Sequence, residues 1–310
     1  MFGDLSFWIN WLASSVRLST PLAFAAAGGA FTERSGVFNI GIEGMMLSGA
    51  FFSITGSYYT GSAAVGTLCG AVAGAVLGLV LAYWTVSRRA DQIISGIALN
   101  LFALGLTNVL YRAIFGQISP ERVAGFEPVK IPLLGDIPKL GTILFDQAAL
   151  VYLAYLVPPF LAWVMFRTVW GLSVRSVGEH PAATDTAGVS VTRLRYQCVT
   201  LSGFMAGLGG AALALQGARY FTPNMSAGRG FVVLGAIVVG RWNPALTAAA
   251  CVLFGAADAF QLSVQALGVG IPSEIFVMLP YILTVAALAG LVGRTRPPRK
   301  LGIAYTSEEV

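Results

Sequence analysis

Charged side chains are scarce in this sequence. They make up 11% of its 310 residues, whereas a soluble domain carries about 25%. Hydrophobic residues make up 56%, and the mean hydropathy is +0.76. Apolar runs recur along the whole chain, and a helix needs such a run of roughly 20 residues to cross the hydrocarbon layer. The composition therefore indicates an integral membrane protein.

Histidine and cysteine, which supply many metal ligands and nucleophiles, are also rare. The only histidine is His180, and the three cysteines, Cys69, Cys198 and Cys251, are far apart among small or apolar residues. A single histidine cannot form a metal cluster, and isolated cysteines in apolar surroundings are typical of core side chains. We therefore expect no disulfide, no metal site, no cofactor and no catalytic residue.

The apolar runs predict an all-α fold, a polytopic bundle of transmembrane helices in a single domain, 1–310. We expect eight or nine segments, one of them broken or re-entrant. They are placed at 7–31, 36–58, 62–86, 93–116, 148–166 and 199–218, with two pieces within 231–262 and a last segment at 274–292. The break is expected at Gly240–Pro244, whose sequence is GRWNP. Irregular backbone at membrane depth must be buried in protein or line a wet cavity, so the break points to a pathway.

Basic residues are clustered between the apolar runs, which predicts the orientation of the chain. The clusters are Arg88 and Arg89; Arg167, Arg175, Arg193 and Arg195; and Arg294, Arg296, Arg299 and Lys300. We expect these regions in the cytoplasm, with 167–198 as a cytoplasmic loop and 293–310 as a cytoplasmic tail. The proline-rich stretch 117–147, whose charges nearly cancel, is expected to be an external loop, and the broken segment then enters and returns on the outer side. No basic patch is interleaved with aromatics, so nucleic acid is not expected as a partner.

Glycine, by contrast, is abundant, with 37 residues. In the third segment four glycines recur every fourth position, at 66, 70, 74 and 78. This spacing leaves a smooth groove along one face of the helix, so we expect another helix to approach closely there.

A few polar side chains interrupt the membrane segments. Asn39 and Glu43 lie in FNIGIEGMM, four residues apart and therefore on one stripe of a helix. A charge at the centre of a membrane helix costs on the order of 3 kcal/mol, so Glu43 should have a partner. In one interpretation, Glu43 lies near a membrane edge, or it is protonated and hydrogen-bonded to backbone or to Asn39 as a structural clamp. In the other interpretation, the stripe that contains Asn39 and Glu43 lines a polar translocation path. Further candidates for that path are Asn100, Asp258 and Gln261. Thr107 and Asn108 lie in the same predicted segment as Asn100, at helical spacing from it.

The hydrophilic stretch 167–197 contains a predicted short helix, in GEHPAATDTAG. Pro181 suits the first helical position and Gly188 suits the residue after the C-terminal cap. Two turns are too few for a helix that is stable alone in water. We therefore expect another surface to pack against it, although a solvated connector is the simpler alternative.

Four sequences together carry a family resemblance: GVFNIGIEGMM, ADQIISGIALN, GLSVRSVGEHPAATDTAGVSVTRLRY and SGFMAGLGGA. In this order they resemble the membrane permease subunits of bacterial ABC importers, in the family that serves branched-chain amino acids, ribose and nucleosides. The similarity is closest to the nucleoside-type permeases and extends from about residue 21 to residue 305. It implies that the short helix is the coupling helix, which docks on the ATPase. The docking residues implied are Arg175, Gly178, Glu179, Ala182, Ala183 and Gly188.

The resemblance also implies the rest of the machine, in a bacterial cytoplasmic membrane. The partners are a cytoplasmic ABC ATPase, a second homologous permease subunit, an extracytoplasmic substrate-binding lipoprotein and the lipid bilayer. The chain lacks the phosphate-binding pattern GxxxxGK[ST], so ATP hydrolysis is expected on the partner. Two alternatives remain: an ABC permease for branched-chain amino acids or simple sugars, and a secondary transporter or channel in which Glu43 is a proton or cation site.

Overall fold

The computed structural model describes residues 5–116, 122–266 and 296–306, together with five single positions between 278 and 289. Within these ranges the chain forms helices and one small sheet. The helices are α1 Leu5–Arg34, α2 Ile42–Thr60, α3 Ala63–Ala82, α4 Gln92–Phe115, α5 Ala149–Arg167, α6 Val169–Glu179, α7 Pro181–Thr186, α8 Val191–Leu213, α9 Arg229–Val239 and α10 Pro244–Ala266. Wider π-helical turns extend α3 over Tyr83–Ser87 and α8 over Ala214–Ala218, and another lies at Gly141–Phe145.

The predicted helical membrane bundle is confirmed. Five helices of the described residues are long and apolar enough to cross a membrane: α3, α4, α5, α8 and α10, the first and fourth with their π turns. The last predicted segment, 274–292, lies outside the described residues apart from single positions.

Two predicted boundaries are wrong. The second segment was expected from residue 36, but α2 begins at Ile42, because residues 36–41 form an irregular connection whose backbone is bonded by side chains of other helices. The segment after the hydrophilic stretch was expected from residue 199, but α8 begins at Val191, where Ser190 caps the first turn by accepting from Arg193 N at 3.3 Å. α8 therefore starts within the stretch 167–198 that was expected to be a cytoplasmic loop.

α1 and α8 lie at the centre of the bundle and bury most of their residues. The glycine row of α3 packs against α2 and α8, as expected. A Cβ on Gly70 would meet the carbonyl oxygen of Gly49, and one on Gly74 would lie 2.8 Å from the Gly207 Cα. Only glycine allows these backbones to approach so closely, and van der Waals contact between them stabilises the centre of the bundle.

The break at Gly240–Pro244 is confirmed. α9 ends at Val239, Arg241 and Trp242 adopt left-handed backbone with φ of 52° and 55°, and α10 starts at Pro244. α10 then runs antiparallel to α1, since Arg34 Nη2 donates to Arg241 O at 3.0 Å and Trp11 Nε1 donates to Ala256 O at 3.0 Å. With 11 residues, α9 is about 16 Å long and covers only part of a membrane's thickness.

The ends of the helices define two faces of the bundle. The connections 35–41, 88–91 and 168–190 meet at one end, which we call the basic end after Arg34, Arg88 and Arg167. The opposite end carries the stretch 122–148. There β1, Pro128–Lys130, pairs antiparallel with β2, Asp146–Ala148, so that Val129 faces Gln147. This hairpin was not anticipated by the sequence analysis.

Candidate functional site

The irregular connection before α2 is held by side chains of α4. Phe38 N donates to Gln92 Oε1 at 2.6 Å. Asn100 makes two bonds: its Oδ1 accepts from Gly44 N at 2.8 Å and its Nδ2 donates to Ile40 O at 3.0 Å. The first amides of a helix lack partners within the helix, and here Asn100 supplies one from a neighbouring helix. The irregular connection before α2 is therefore held in place by hydrogen bonds from α4.

Asn39 is fully buried in the same connection, but it does not contact Glu43. Its Nδ2 donates to Ser202 Oγ of α8 at 3.1 Å and to Met45 Sδ at 3.8 Å. Asn39 thus connects the irregular stretch before α2 to the central helix α8.

Glu43 lies in the first turn of α2 and binds the N-terminal end of α9. Its Oε1 accepts from Ser226 Oγ at 2.6 Å and from Gly228 N at 2.8 Å, and its Oε2 accepts from Gly230 N at 2.6 Å. Three donors at a helix N-terminus stabilise the negative charge of a carboxylate. A Cβ on Gly230 would lie 2.5 Å from the Glu43 Cα, so glycine is needed for this approach. Glu43 therefore clamps α2 to α9.

Asp258 reaches the same end of α9 from α10. Its Oδ2 lies 3.6 Å from Arg229 Nε, and both side chains are largely buried. Arg229 Nη1 also donates to Met225 O at 3.3 Å. Gln261, one turn further along α10, is partly exposed. The structure thus brings Asn39 and Asn100 to the connection before α2, and Glu43 and Asp258 to the start of α9, with Gln261 beyond them.

Other polar side chains serve their own helices. Asn108 Nδ2 and the Thr107 hydroxyl donate to carbonyls of the preceding turn of α4. Glu33, which is buried at the end of α1, accepts from Trp242 Nε1 at 2.5 Å, and Arg34 donates to the carbonyls of the break that contains Trp242. These three hydrogen bonds fix the break that follows α9 to the C-terminal end of α1.

The short helix at the basic end forms as the sequence predicts. α7 begins with Pro181 at its first position, and Gly188 follows it with φ of +84°. Ala182 is half-buried, whereas Ala183 and Gly188 are exposed. A Cβ on Gly188 would meet no atom within 4 Å. The outward face of α7 is therefore smooth and built from small residues.

The residues just before α7 are packed against the bundle. Gly178 lies against the carbonyl of Arg34, where a Cβ would clash. The Arg175 guanidinium carbon lies 5.2 Å from the centroid of the Phe166 ring, and Glu179 Oε2 lies 4.0 Å from Arg299 Nε. Gly178 and Arg175 thus hold α6 in place, while Glu179 is partly exposed beside α7.

A cavity of about 730 Å³ opens at the other side of the molecule, between α1, the end of α8, α10 and the stretch 122–148. Arg17, Arg122 and Arg219 line it, and Gln216 contributes a buried amide nitrogen without a hydrogen-bond partner. Arg219 also lies 3.7 Å from the exposed Glu127 carboxylate. Positive charge therefore surrounds this cavity.

The residues predicted from the sequence do not include three side chains that hold the connection before α2 or the start of α9: Gln92, Ser202 and Ser226. Gln92 and Ser202 are part of sequences that carry the family resemblance, and each is a polar residue next to an apolar run. That signal alone could have marked them. Ser226 precedes α9 in an irregular stretch, and nothing local distinguishes it from a solvated loop serine.

Comparisons with known proteins agree with the architecture. The family model described as "Branched-chain amino acid transport system / permease component" matches residues 11–288. The chain is 40% identical over 297 residues to the guanosine ABC transporter permease protein NupQ of Bacillus subtilis, with 93% of each chain covered. It is 38% identical over 305 residues to the nucleoside ABC transporter permease protein NupC of Lactococcus lactis, covering 95% and 96%. It is 33% identical over 323 residues to the putative glucose ABC transporter permease protein TsgC13 of Haloferax volcanii, with 95% of each covered.

Proposed function

Since the chain belongs to the family of branched-chain amino acid transport system permease components, we propose that it forms the translocation pathway of an ABC importer for nucleosides. The observation that carries the substrate class is the near full-length similarity, at 40% and 38% identity, to permeases named for guanosine and for nucleosides. The chain is a transport subunit rather than an enzyme in its own right.

The polar side chains at the connection before α2 and at the start of α9 favour an uncharged solute over an ion. Glu43 is bound by three donors and Asp258 lies beside Arg229, so these two acidic side chains at the start of α9 are already compensated. Asn39 and Asn100 supply amides rather than charges. A pathway beside these groups suits a solute that offers hydroxyls and ring nitrogens, because such a solute needs hydrogen bonds but no counter-ion.

The basic end is the proposed docking surface for a cytoplasmic ABC ATPase. The exposed small residues of α7, with Glu179 beside them, would fit into a groove of that partner, and Arg175 and Gly178 would hold α6 behind them. This places 167–190 and the tail 293–310 in the cytoplasm, in agreement with the basic residues there. The membrane is then the bacterial cytoplasmic membrane.

The opposite end would face a substrate-binding lipoprotein. Arg17, Arg122 and Arg219 surround the large cavity there and favour an acidic partner surface. A second homologous permease completes the pathway. The described part of the expected external loop, 122–147, lies on this side. Exposed apolar faces of α4 and α5 are available to that permease and to lipid.

Uptake by cells with and without this chain tests the substrate class. Labelled guanosine should enter only cells that contain it, and unlabelled adenosine or uridine should compete while ribose, glucose and leucine should not. Glucose is included because of the relative from Haloferax volcanii. Competition by glucose or leucine alone would replace the nucleoside by that solute class. Uptake that survives ATP depletion and collapses with the proton gradient would indicate a secondary transporter instead.

A further inference from the structure

A described segment near the C-terminus lies across the basic end. Residues 298–305, which we call the C-terminal strap, form two main-chain hydrogen bonds with separate parts of the bundle. Lys300 N donates to Gly178 O at 3.0 Å, and Gly302 N donates to Gly36 O at 3.0 Å. The strap therefore bridges the end of α6 and the turn between α1 and α2.

A buried arginine of α8 hydrogen-bonds both the strap and the turn between α1 and α2. Arg195, in the second turn of α8, is only 1% exposed. Its Nε donates to Ser35 O at 3.2 Å and its Nη1 donates to Ile303 O at 3.0 Å. Because a guanidinium keeps its charge and must be hydrogen-bonded when buried, these two carbonyls are held at a fixed separation.

Apolar contacts seat the strap in the bundle. Leu301 packs against the core cluster that includes Val37, Leu99 and Trp242, and Tyr305 packs against the neighbouring cluster of α5, α6 and α8. Pro298 is buried as well. The strap is thus fixed along its length by both packing and hydrogen bonds.

The far end of the strap holds the short helix. Tyr305 OH donates to Asp185 Oδ2 of α7 at 2.9 Å, and Arg299 lies beside Glu179 just before that helix. A helix of six residues gains little from its own hydrogen bonds, so its position depends on such contacts. Within α7, the Thr184 hydroxyl supplies another contact, to Ser176 Oγ at 3.0 Å.

We propose that the C-terminal strap transmits a displacement of α7 to the turn between α1 and α2, with Tyr305 and Arg195 as positioning residues. From that turn the chain runs directly into Phe38–Ile40, whose backbone is held by Gln92 and Asn100. The next residues lead to Glu43, which binds α9. A movement at the docking surface thereby reaches the connection before α2 and the start of α9. The inference rests on the proposed function, because it takes an ATPase as the source of the movement.

The first test needs only the purified chain. Tyr305→Phe keeps the ring and removes the hydroxyl, and hydrogen exchange of the α7 amides should then become about fivefold faster, the factor that loss of one hydrogen bond produces. The matched control is Tyr196→Phe, which removes a hydroxyl bonded to Ser87 at 2.6 Å elsewhere on the basic end. If the α7 amides exchange at the same rate in Tyr305→Phe as in the unchanged protein, the strap does not hold α7.

The second test uses the complete transporter in proteoliposomes. In Tyr305→Phe we expect the ATPase to remain bound and to hydrolyse ATP, while solute uptake per ATP falls about fivefold. Asp185→Asn retains an oxygen that accepts from Tyr305 and should keep most of the uptake. If uptake per ATP is the same in Tyr305→Phe and in the unchanged protein, the strap has no role in coupling.

The two proposals fail in different ways. If no ATPase binds the unchanged chain, the proposed function is wrong, and the exchange experiment still decides whether the strap positions α7. If the ATPase binds and drives uptake but Tyr305→Phe behaves like Tyr196→Phe in both tests, only the strap is wrong.

Discussion

Glu43 connects two helices that the chain separates by more than 180 residues. It stands at the start of α2 and accepts hydrogen bonds from the stretch that starts α9. The amides at a helix N-terminus need partners, and a carboxylate inside a membrane protein needs donors. Each requirement is met by the other, so this carboxylate fixes the start of α9 to α2, which an apolar side chain could not do.

Replacing Glu43 by glutamine tests this role. Both carboxylate oxygens accept hydrogen bonds, so Glu43→Gln turns one acceptor into an NH₂ group that faces another donor. We expect the free energy of unfolding to fall by about 2 kcal/mol, measured by thermal or denaturant unfolding of the protein in detergent. Glu127→Gln is the control, because that carboxylate is 80% exposed.

The same variant separates the two roles considered for Glu43. A clamp predicts that stability and uptake decline together in Glu43→Gln. Normal stability combined with lost uptake would show instead that the charge acts on the solute.

At the scale of elements, the bundle depends on backbone contact along α3. The glycines of this helix lie against carbonyls and Cα atoms of α2 and α8, among them Gly49 and Gly207. Without a hydrophobic driving force between helices in lipid, such close van der Waals contact is a main source of association. The row at 66, 70, 74 and 78 is thus a structural feature.

Two glycine-to-alanine substitutions should have opposite effects. Gly74→Ala places a Cβ against the backbone of α8 and should destabilise the protein by about 1–3 kcal/mol, because the packed helices must separate. Gly105→Ala in α4 meets nothing within 4 Å and should be neutral or stabilising by up to about 1 kcal/mol. Unfolding of both variants in the same detergent measures the difference, and equal stabilities would show that α3 does not pack as described.

At the scale of the whole molecule, two ends with different chemistry face opposite sides of the bundle. The basic end gathers α7, the turn after α1 and the strap, whereas the other end carries the hairpin and the arginine-lined cavity. Glu43 of α2 and Asp258 of α10, which hold the start of α9, belong to helices that run between these ends. This order suits a transport subunit, because partners at the two ends can act on the same central elements.

The docking proposal predicts a loss of assembly from one surface substitution. Ala183→Trp adds a bulky side chain to the exposed face of α7 and should reduce the ATPase recovered with the tagged chain at least about tenfold, as expected for a side chain that blocks a packed contact. Ala64→Trp is the control, since Ala64 is exposed in α3 at the opposite end. Equal recovery with both variants would place the ATPase contact elsewhere.

The amino-acid sequence predicts the membrane class, most helices, the glycine row, the break at Gly240–Pro244 and the helix α7. These features depend on local composition, helical spacing and turn residues, which are written in neighbouring positions. It also marked Asn39, Glu43 and Asn100 as unusual, because a polar residue in an apolar run is conspicuous wherever it occurs.

The partners of these residues depend on the tertiary fold and could not be predicted from the sequence. The donors to Glu43 come from residues 226–230, Asn39 binds Ser202, and Arg195 is buried between the turn at Ser35 and the strap at Ile303. The start of α2 at Ile42 likewise depends on Asn100 of another helix. A buried polar group takes whichever partner the packing of distant segments brings within about 3 Å, and that choice leaves no periodic trace in the sequence.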